Sequence, residues 1–337
     1  MTLKTGKLDI GDLEKLLKKY VTSDPQVVMG PRIGEDAAVI DPGKETGNYW
    51  VVTSDPITLT TEEIGYYGVV VNLNDIATRG AVPRWFSATL LFPERSDSSL
   101  VRRVFTQVHR ACCRFGISIV GGHTEVTPAI DRMILSGHMI GEVRKDRLVT
   151  TAGARIGDLL LLSKGICIEG TSIIAREKEA ELKARGFSTS FIQKAKRFVF
   201  IPGIEVFGPA RVACNAVSVH SMHDPTEGGL INGIIEMAFA SGKEIEVDLE
   251  RVPIHKESQV LCREYGLNPL GVVSSGALLL TLSPSEFPAL QKAFNQASVP
   301  FQVIGKVKKG RARVVAIDGK RGRELKPFSR DEILKIY

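Results

Sequence analysis

Segments with the pattern of β-strands alternate with segments of helical periodicity along nearly the whole chain, and this alternation most limits its fold. The alternation follows no single strict strand–helix–strand rhythm, so two successive α/β units fit it best, each with strands covered by helices. The 337 residues are enough for two domains of ordinary size. The charged, glycine-containing stretch 143–157 is typical of a turn-rich connection. We therefore predict an N-terminal segment at 1–30, one α/β domain at 31–150 and a second at 151–337.

Local periodicity and composition assign the individual elements. The predicted helices lie at 9–20, 63–79, 98–115, 170–180, 188–197, 203–213, 228–240, 256–265 and 285–296. The predicted strands lie at 49–53, 85–92, 117–120, 132–142, 216–220, 244–248, 277–283 and 301–307, and an apolar run at 158–162 opens the second domain. The last residues, from 319 onward, have the pattern of a peripheral turn and a short helix.

Composition excludes several classes of protein. Hydrophobic residues make up 43% and charged residues 24%, as in globular proteins with a core. No apolar stretch approaches the roughly 20 residues of a membrane helix, and the charged start lacks the core of a secretory signal, so we expect a cytoplasmic protein without membrane contact. The five cysteines show no C-x-x-C spacing, which argues against zinc and disulfide frameworks. The net charge of +6 is spread along the chain, which argues against nucleic-acid binding but would attract an anionic substrate.

Common nucleotide and hydrolase motifs are absent. The chain has no G-x-x-x-x-G-K-[ST] loop, no G-x-G-x-x-G after a strand, no H-E-x-x-H and no G-x-S-x-G. A nucleotide site would therefore have to be built without a Walker A lysine.

Acidic residues instead occupy places where burial would be costly. They lie before or after apolar strands or inside an apolar helix, and the set is Asp36, Asp55, Asp75 with its neighbour Asn74, Glu125, and Asp224. A buried carboxylate is unfavourable unless it is paired or binds a cation. Mg²⁺ prefers carboxylate, water and phosphate oxygens, and it can supply the positive charge that a P-loop lysine otherwise provides. The pattern predicts carboxylates that converge on magnesium and a bound triphosphate.

Two glycine pairs extend this prediction. Gly121-Gly122 follows a strand, and Gly228-Gly229 opens a helix whose N-terminus could bind phosphate. Each feature also has a structural interpretation. Asp75 could pair with Arg79 on an exposed helix face, Asp55 could be a turn residue and Asp224 a helix N-cap, and glycine pairs are often only turns.

The order of these motifs resembles the aminoimidazole-ribonucleotide synthetase (PurM-like) superfamily over residues of about 30 to 310. The motifs are G-E-D-A-A at 34–38, S-D at 54–55, N-D-I-A-T-R-G-A-V-P at 74–83, G-G-H-T at 121–124 and D-P-T-E-G-G at 224–229. The last motif, together with G-L-N-P-L at 266–270, is most similar to the HypE-like branch. The resemblance implies two α/β domains, with the N-terminal sheet pairing with that of a second copy in a homodimeric barrel, and a segment 1–30 that could fold over the nucleotide as a lid.

The resemblance also implies roles for individual residues. Metal ligands would be Asp36, Asp55, Asp75 and Asp224. ATP would contact Asn74, Gly121, Gly122, Thr124, Thr226, Gly228 and Gly229. The catalytic set would be Asp75 and Asp224, with His123 or Glu125 orienting the acceptor. Mg²⁺ and ATP are the implied cofactors.

The chain departs from the HypE pattern in two places. It ends in D-E-I-L-K-I-Y rather than in a cysteine-bearing tail, and position 123 is His where that branch has Asp, as in the G-G-H-T form of selenophosphate synthetases. Three functions stay open at this point. They are an ATP-dependent enzyme that phosphorylates an acceptor oxygen, a small-metabolite kinase similar to thiamine-monophosphate kinase, and a non-catalytic nucleotide-binding partner in maturation or regulation. The sequence does not identify the acceptor.

Overall fold

The computed structural model describes residues 5–8, 10–43, 45–318 and 321–337. It divides the chain into two compact units. We call Asp24–Gly30 together with Asp36–Leu148 the N-terminal unit. The C-terminal unit comprises Pro31–Glu35, Val149–Tyr337 and the described residues up to Ser23. The division at Leu148 lies within the charged stretch 143–157.

The described helices are α1 (Ile10–Tyr20), α2 (Ile64–Thr78), α3 (Ser98–Phe115), α4 (Ile168–Glu177), α5 (Glu179–Ala184), α6 (Thr189–Lys196), α7 (Phe207–Ala216), α8 (Gly229–Ser241), α9 (Lys256–Glu264) and α10 (Phe287–Gln296). The described strands are β1 (Val27–Met29), β2 (Ala38–Ile40), β3 (Asn48–Ile57), β4 (Val82–Pro93), β5 (Ser118–Thr127), β6 (Ile134–Arg144), β7 (Leu159–Ser163), β8 (Ser221–His223), β9 (Glu244–Val247), β10 (Leu278–Leu282), β11 (Phe301–Lys308), β12 (Arg313–Asp318) and β13 (Arg321–Leu325). None of the described helices is long and apolar enough to cross a membrane.

The N-terminal unit is a six-stranded mixed sheet covered by two helices. Its strand order is β1-β2-β3-β6-β4-β5, and β5 is parallel to β4. Every residue of α2 is buried, because this apolar helix packs between the sheet and α3. Glycines allow the close approach: a Cβ at Gly68 would lie 2.2 Å from a Leu135 methyl carbon, and one at Gly137 would lie 2.9 Å from the Gly68 carbonyl oxygen.

Helix α3 covers α2 from outside and shows clear start and stop signals. Asp97 caps it by accepting a hydrogen bond from the Leu100 N–H, and Gly116 ends it in the left-handed conformation.

Strand β5 lies at the edge of the sheet, and its residues are exposed from Ser118 to Val126. An exposed edge of this length presents unpaired backbone groups and apolar side chains to the surroundings.

The C-terminal unit is a seven-stranded mixed sheet of order β13-β12-β9-β11-β7-β10-β8. The central strands β7 and β10 consist of leucines apart from Ser163 and Thr281 and are almost fully buried, as expected for strands covered on both faces. Two predictions fail here. The strand expected at 216–220 is instead the end of α7 and a connection to the short β8. The C-terminal tail is not peripheral, since Asp331, Ile333 and Ile336 are buried.

Candidate functional site

Two of the predicted metal ligands, Asp36 and Asp75, contact the same residue on the buried face of β3. Asp75 lies near the end of α2 and is 4% exposed. The Thr53 hydroxyl on β3 donates to its Oδ2 at 2.5 Å and approaches the Asp36 carbonyl oxygen at 3.2 Å. Thr53 therefore holds Asp36 and Asp75 beside each other, although they are far apart in the sequence.

The Asp36 carboxylate is paired with a buried cation. Its Oδ2 accepts hydrogen bonds from Arg79 Nη2 at 3.0 Å and from the Thr78 hydroxyl at 3.1 Å, and the Arg79 side chain is fully buried. The sequence offered Arg79 as a partner of Asp75 on an exposed helix face. That interpretation is wrong about the face, because α2 has no exposed residue.

Asp55 lies two residues after Thr53, so it is on the same face of β3. The Asn72 side chain fixes its backbone. Asn72 Oδ1 accepts from the Asp55 N–H at 3.0 Å, and Asn72 Nδ2 donates to the Asp55 carbonyl oxygen at 3.2 Å. The alternative interpretation of Asp55 as a turn residue is wrong, because β3 continues to Ile57. Sequence reasoning missed Asn72, although a buried asparagine in an apolar helix was the available signal.

The glycines predicted to contact phosphate belong to β5 rather than to a turn. Gly122 pairs with Ala88, Ala88 with Gly137, and Gly137 with Asp55, so Asp55 and Gly122 lie in one row across four strands. Three strand spacings separate them, or about 14 Å. A Cβ on Gly122 would lie 2.3 Å from the Ala88 carbonyl oxygen, so only glycine fits there.

A hollow of about 550 Å³ lies beside these glycines. Its lining includes Gly121, Gly122 and Thr124 together with the apolar Phe86 and Phe105. Three of the residues predicted to bind ATP therefore share one concave surface. His123 and Glu125 are exposed, and His123 Nε2 lies 3.1 Å from Glu125 Oε2.

Among the described residues, no group of three or more His, Cys, Asp or Glu side chains is arranged to hold a metal ion. Mg²⁺ at nucleotide sites needs only one or two carboxylates, since waters and phosphates supply the other ligands. The Asp75 carboxylate fits that smaller requirement, and Thr53 holds it beside the Asp36 backbone, while the Asp36 carboxylate is paired with Arg79.

The other predicted carboxylate, Asp224, lies in the C-terminal unit directly after β8 and is 1% exposed. The following loop leads to α8. Thr226 Oγ1 accepts from Lys7 Nζ at 3.0 Å, and Gly228 caps the helix in a left-handed conformation with φ of 83°. The Gly228 N–H donates to Asp331 Oδ2 at 2.7 Å. In this structure a carboxylate of the chain's own tail therefore occupies the donor that we expected to bind phosphate, and Gly228 stays a prediction.

Two carboxyl groups of the C-terminal unit have strongly raised pKa values. Burial raises the pKa of Glu169 from 4.5 to about 7 against hydrogen bonding from Ser275, and the nearby Asp331 and Glu227 charges add to the rise. Burial likewise raises the pKa of Asp331 to about 6, against hydrogen bonds from the Ile333 and Gly228 N–H groups. Sequence reasoning missed both residues.

Glu169 should make stability depend on pH. Because its folded-state pKa is raised, its contribution is fully present below its ordinary pKa and is lost as pH rises through about 7. The difference between pKa values of about 7 and 4.5 corresponds to about 3 kcal/mol of unfolding free energy. We expect Glu169→Gln to remove most of this fall in unfolding free energy, measured by urea unfolding between about pH 5 and pH 8.

Glu257→Gln is the matched control variant for that experiment. It is 8% exposed, and its pKa is lowered, because the hydrogen bond and charge of Lys194 outweigh burial. Its contribution is therefore present at high pH and is lost as pH falls through the lowered pKa. Equal pH profiles for Glu169→Gln and the unmodified protein would contradict the prediction.

Comparison with known proteins matches both units. The family profile described as AIR synthase related protein, N-terminal domain, matches residues 34–143, and the corresponding C-terminal domain profile matches residues 155–318. A putative hydrogenase expression/formation protein of Methanocaldococcus jannaschii is 25% identical over 281 residues, covering 81% of this chain and 80% of the relative.

Two further proteins show the range of activities among the relatives. A thiamine-monophosphate kinase of Aquifex aeolicus is 27% identical over 215 residues, covering 62% of this chain and 64% of the kinase. The crystal structure of hydrogenase maturation protein HypE in complex with ATP superimposes with a TM-score of 0.69 at 24% identity, covering 90% of this chain and 92% of that chain. This structural match shows that the two share a fold of two α/β domains.

Proposed function

Because the chain belongs to the AIR synthase related family, we propose that it is a Mg-ATP-dependent enzyme that transfers the γ-phosphoryl group to an acceptor oxygen and releases ADP. The observation that carries the proposal is the buried Asp75 carboxylate, which Thr53 of β3 holds beside the backbone of Asp36. The relative solved with ATP supports the choice of nucleotide. In a chain without a Walker A lysine, Asp75 and the neighbouring acidic residues are the groups that would hold the cation of the nucleotide.

Each residue has a defined part in this proposal. Magnesium, when bound by Asp36, Asp55 and Asp75, would neutralise charge on the phosphates. Asn74 and the Gly121–Thr124 strand would contact the nucleotide. His123 and Glu125, which lie side by side and exposed, would orient the acceptor. In the C-terminal unit, Asp224 remains a proposed metal ligand and catalytic residue, and Thr226, Gly228 and Gly229 remain proposed nucleotide contacts.

We propose in addition that the chain forms a homodimer through β5. This edge strand exposes Ile119, Val120 and Val126, each about half or more accessible. A long exposed apolar edge is a template for pairing with another strand, and a second copy would satisfy its backbone groups.

The nucleotide proposal predicts a sharp dependence on metal and on Asp75. We expect ATP binding with Mg²⁺ and much weaker binding without it, measured by titration calorimetry. Asp75→Asn, which keeps the shape of the side chain, should weaken Mg-ATP binding at least about tenfold, since even outer partners of metal ligands cost 10–100-fold. Asp97→Asn is the control, because Asp97 is an exposed helix cap of the same unit. Metal-independent binding, or equal affinity in both variants, would refute the proposal.

The similarity to a thiamine-monophosphate kinase favours a second candidate, the phosphorylation of a small phosphorylated metabolite. The product distinguishes the two, because a kinase of this kind yields ADP and a diphosphate ester. The similarity to a hydrogenase expression/formation protein supports a third, a nucleotide-binding partner in protein maturation. That role predicts ATP binding without turnover and co-purification with a second protein.

A further inference from the structure

The exposed face of α3 carries positive charge and no negative charge. The helix contains no Asp, Glu or Lys, and its basic side chains, all exposed, are Arg102, Arg103, His109, Arg110 and Arg114. Three of the arginines, at positions 103, 110 and 114, fall within about 40° of one another around the helix axis, because each residue of an α-helix turns by about 100°. They form one line about 16 Å long, which we call the arginine stripe.

The arginine stripe differs from other charged surfaces of this chain. On α5, Lys183 Nζ lies 2.8 Å from Glu179 Oε1, and in the C-terminal sheet Arg311 Nη2 lies 2.8 Å from Glu324 Oε2. Within the part of the chain that the structure describes, no stripe guanidinium group has a carboxylate oxygen within 4.0 Å. The stripe therefore lacks the counter-charges that the chain supplies elsewhere.

The isolated chain keeps this stripe at a cost. Arg110 and Arg114 are four residues apart, and like charges at this spacing destabilise a helix. Arg114 Nη1 lies 3.5 Å from the hydroxyl oxygen of Tyr66, a neutral contact that orients the guanidinium group and leaves its charge uncompensated. An external group of opposite charge would remove the repulsion along the stripe.

The residue type indicates which anions fit. A guanidinium group can donate two parallel N–H hydrogen bonds to one carboxylate or phosphate, which the ammonium group of lysine cannot do. A helix whose strong cations are all arginines is therefore suited to planar carboxylates or to phosphates.

The surroundings favour carboxylates of a protein over the phosphates of a nucleic acid. The exposed Glu94 and the helix cap Asp97 lie at the N-terminal end of α3, so negative charge limits the stripe on that side and would repel a long polyanion. Extensive DNA-binding surfaces make on the order of 6–10 phosphate contacts, and the stripe offers three.

We propose that the arginine stripe is a docking surface for an acidic helix of another protein. Carboxylates of that helix, spaced by the same seven and four residues, would each bind one guanidinium group and supply the missing counter-charges. The stripe is on the solvent side of α3, whereas the Asp75 carboxylate is buried beneath it on α2, so this docking is independent of nucleotide binding.

A synthetic acidic helix tests the proposal. The probe is a labelled alanine-based peptide of about 18 residues, long enough to form a helix and with glutamates at the spacing of the stripe. Fluorescence anisotropy measures its binding to the full chain at low salt. We expect it to bind at least about fivefold more tightly than a scrambled peptide of equal composition, and Arg103→Gln with Arg110→Gln to weaken its binding at least about fivefold, because two ion pairs are lost.

The matched control is Arg321→Gln with Arg323→Gln. Both residues are exposed on β13, so this double variant removes the same charge from a different surface and should leave binding unchanged. Equal unfolding midpoints in urea for both double variants and the unmodified protein would show that the fold is intact.

Three results would overturn the proposal. They are no binding of the matched peptide at low salt, equal binding of the scrambled peptide, and equal losses in the two double variants. An oligouridylate of equal charge provides the last comparison. If it binds more tightly than the matched peptide and depends on the same two arginines, the surface recognises nucleic acid and the acidic helix is excluded.

Discussion

Replacing Arg79 by alanine is expected to destabilise the N-terminal unit by about 3–5 kcal/mol, because it removes one partner of a buried ion pair. The Arg79 side chain is fully buried and the Asp36 side chain is 12% exposed, at a separation of 3.0 Å. Without the guanidinium, the Asp36 carboxylate would keep its desolvation cost and lose its main compensation. Both tryptophans, Trp50 and Trp85, lie in this unit, so urea unfolding followed by tryptophan fluorescence reports on it directly.

Arg84 offers a matched ion pair at the surface of the same unit. Arg84 Nε lies 2.9 Å from Glu142 Oε2, but the Arg84 side chain is 51% exposed. Alanine there should cost no more than about 1 kcal/mol, as for other exposed pairs. If both variants lose equally little stability, Asp36 is not dependent on Arg79, and our description of the buried pair is wrong.

The second large effect is expected at Gly229, the first residue of α8. Its φ is 65°, and a Cβ there would lie 2.7 Å from the Leu270 carbonyl oxygen and 2.8 Å from the Val272 carbonyl oxygen. Alanine adds the cost of a left-handed residue, about 1–2 kcal/mol, to an overpacking cost of about 1–3 kcal/mol. We expect Gly229→Ala to lower the unfolding free energy by about 2–5 kcal/mol, measured by urea unfolding with circular dichroism.

Gly242, at the other end of the same helix, separates the two costs. Its φ is 67°, but a Cβ there would meet nothing within 4 Å. Gly242→Ala should therefore show only the conformational cost, about 1–2 kcal/mol. If the two alanine variants are equally stable, the backbone contacts around Gly229 contribute nothing, and its role is only to turn the chain.

The sequence predicted the elements whose signals are local. The helices at 63–79 and 98–115 are confirmed within a few residues as α2 and α3, because each carries its own pattern and α3 its own caps. Elements that depend on distant partners were missed. The short strands β1 and β2 exist only through their pairing with each other and with β3, and β13 only through its pairing with β12.

The candidate site shows the same limit. Asp36 and Asp75 stand out in the sequence because carboxylates beside or inside apolar segments are unfavourable to bury. The partner of Asp36 could not be predicted from residue spacing, because it depends on how β3 and α2 pack. Glu169 was missed for a related reason. It follows a strand and begins a helix, where an acidic residue is ordinary, and only the fold reveals the two other carboxyl groups beside it.

Helix α2 has all fifteen of its residues buried, and this has an evolutionary consequence. A helix without a solvent-facing side has no position at which a substitution goes unnoticed by its neighbours. Sequence drift in this segment therefore requires simultaneous changes in the strands beneath it and in α3 above it. We expect a saturation mutagenesis scan of α2 to find no positions that tolerate substitution at the 3.6-residue spacing of a helix face. In α3, tolerant positions should recur at that spacing.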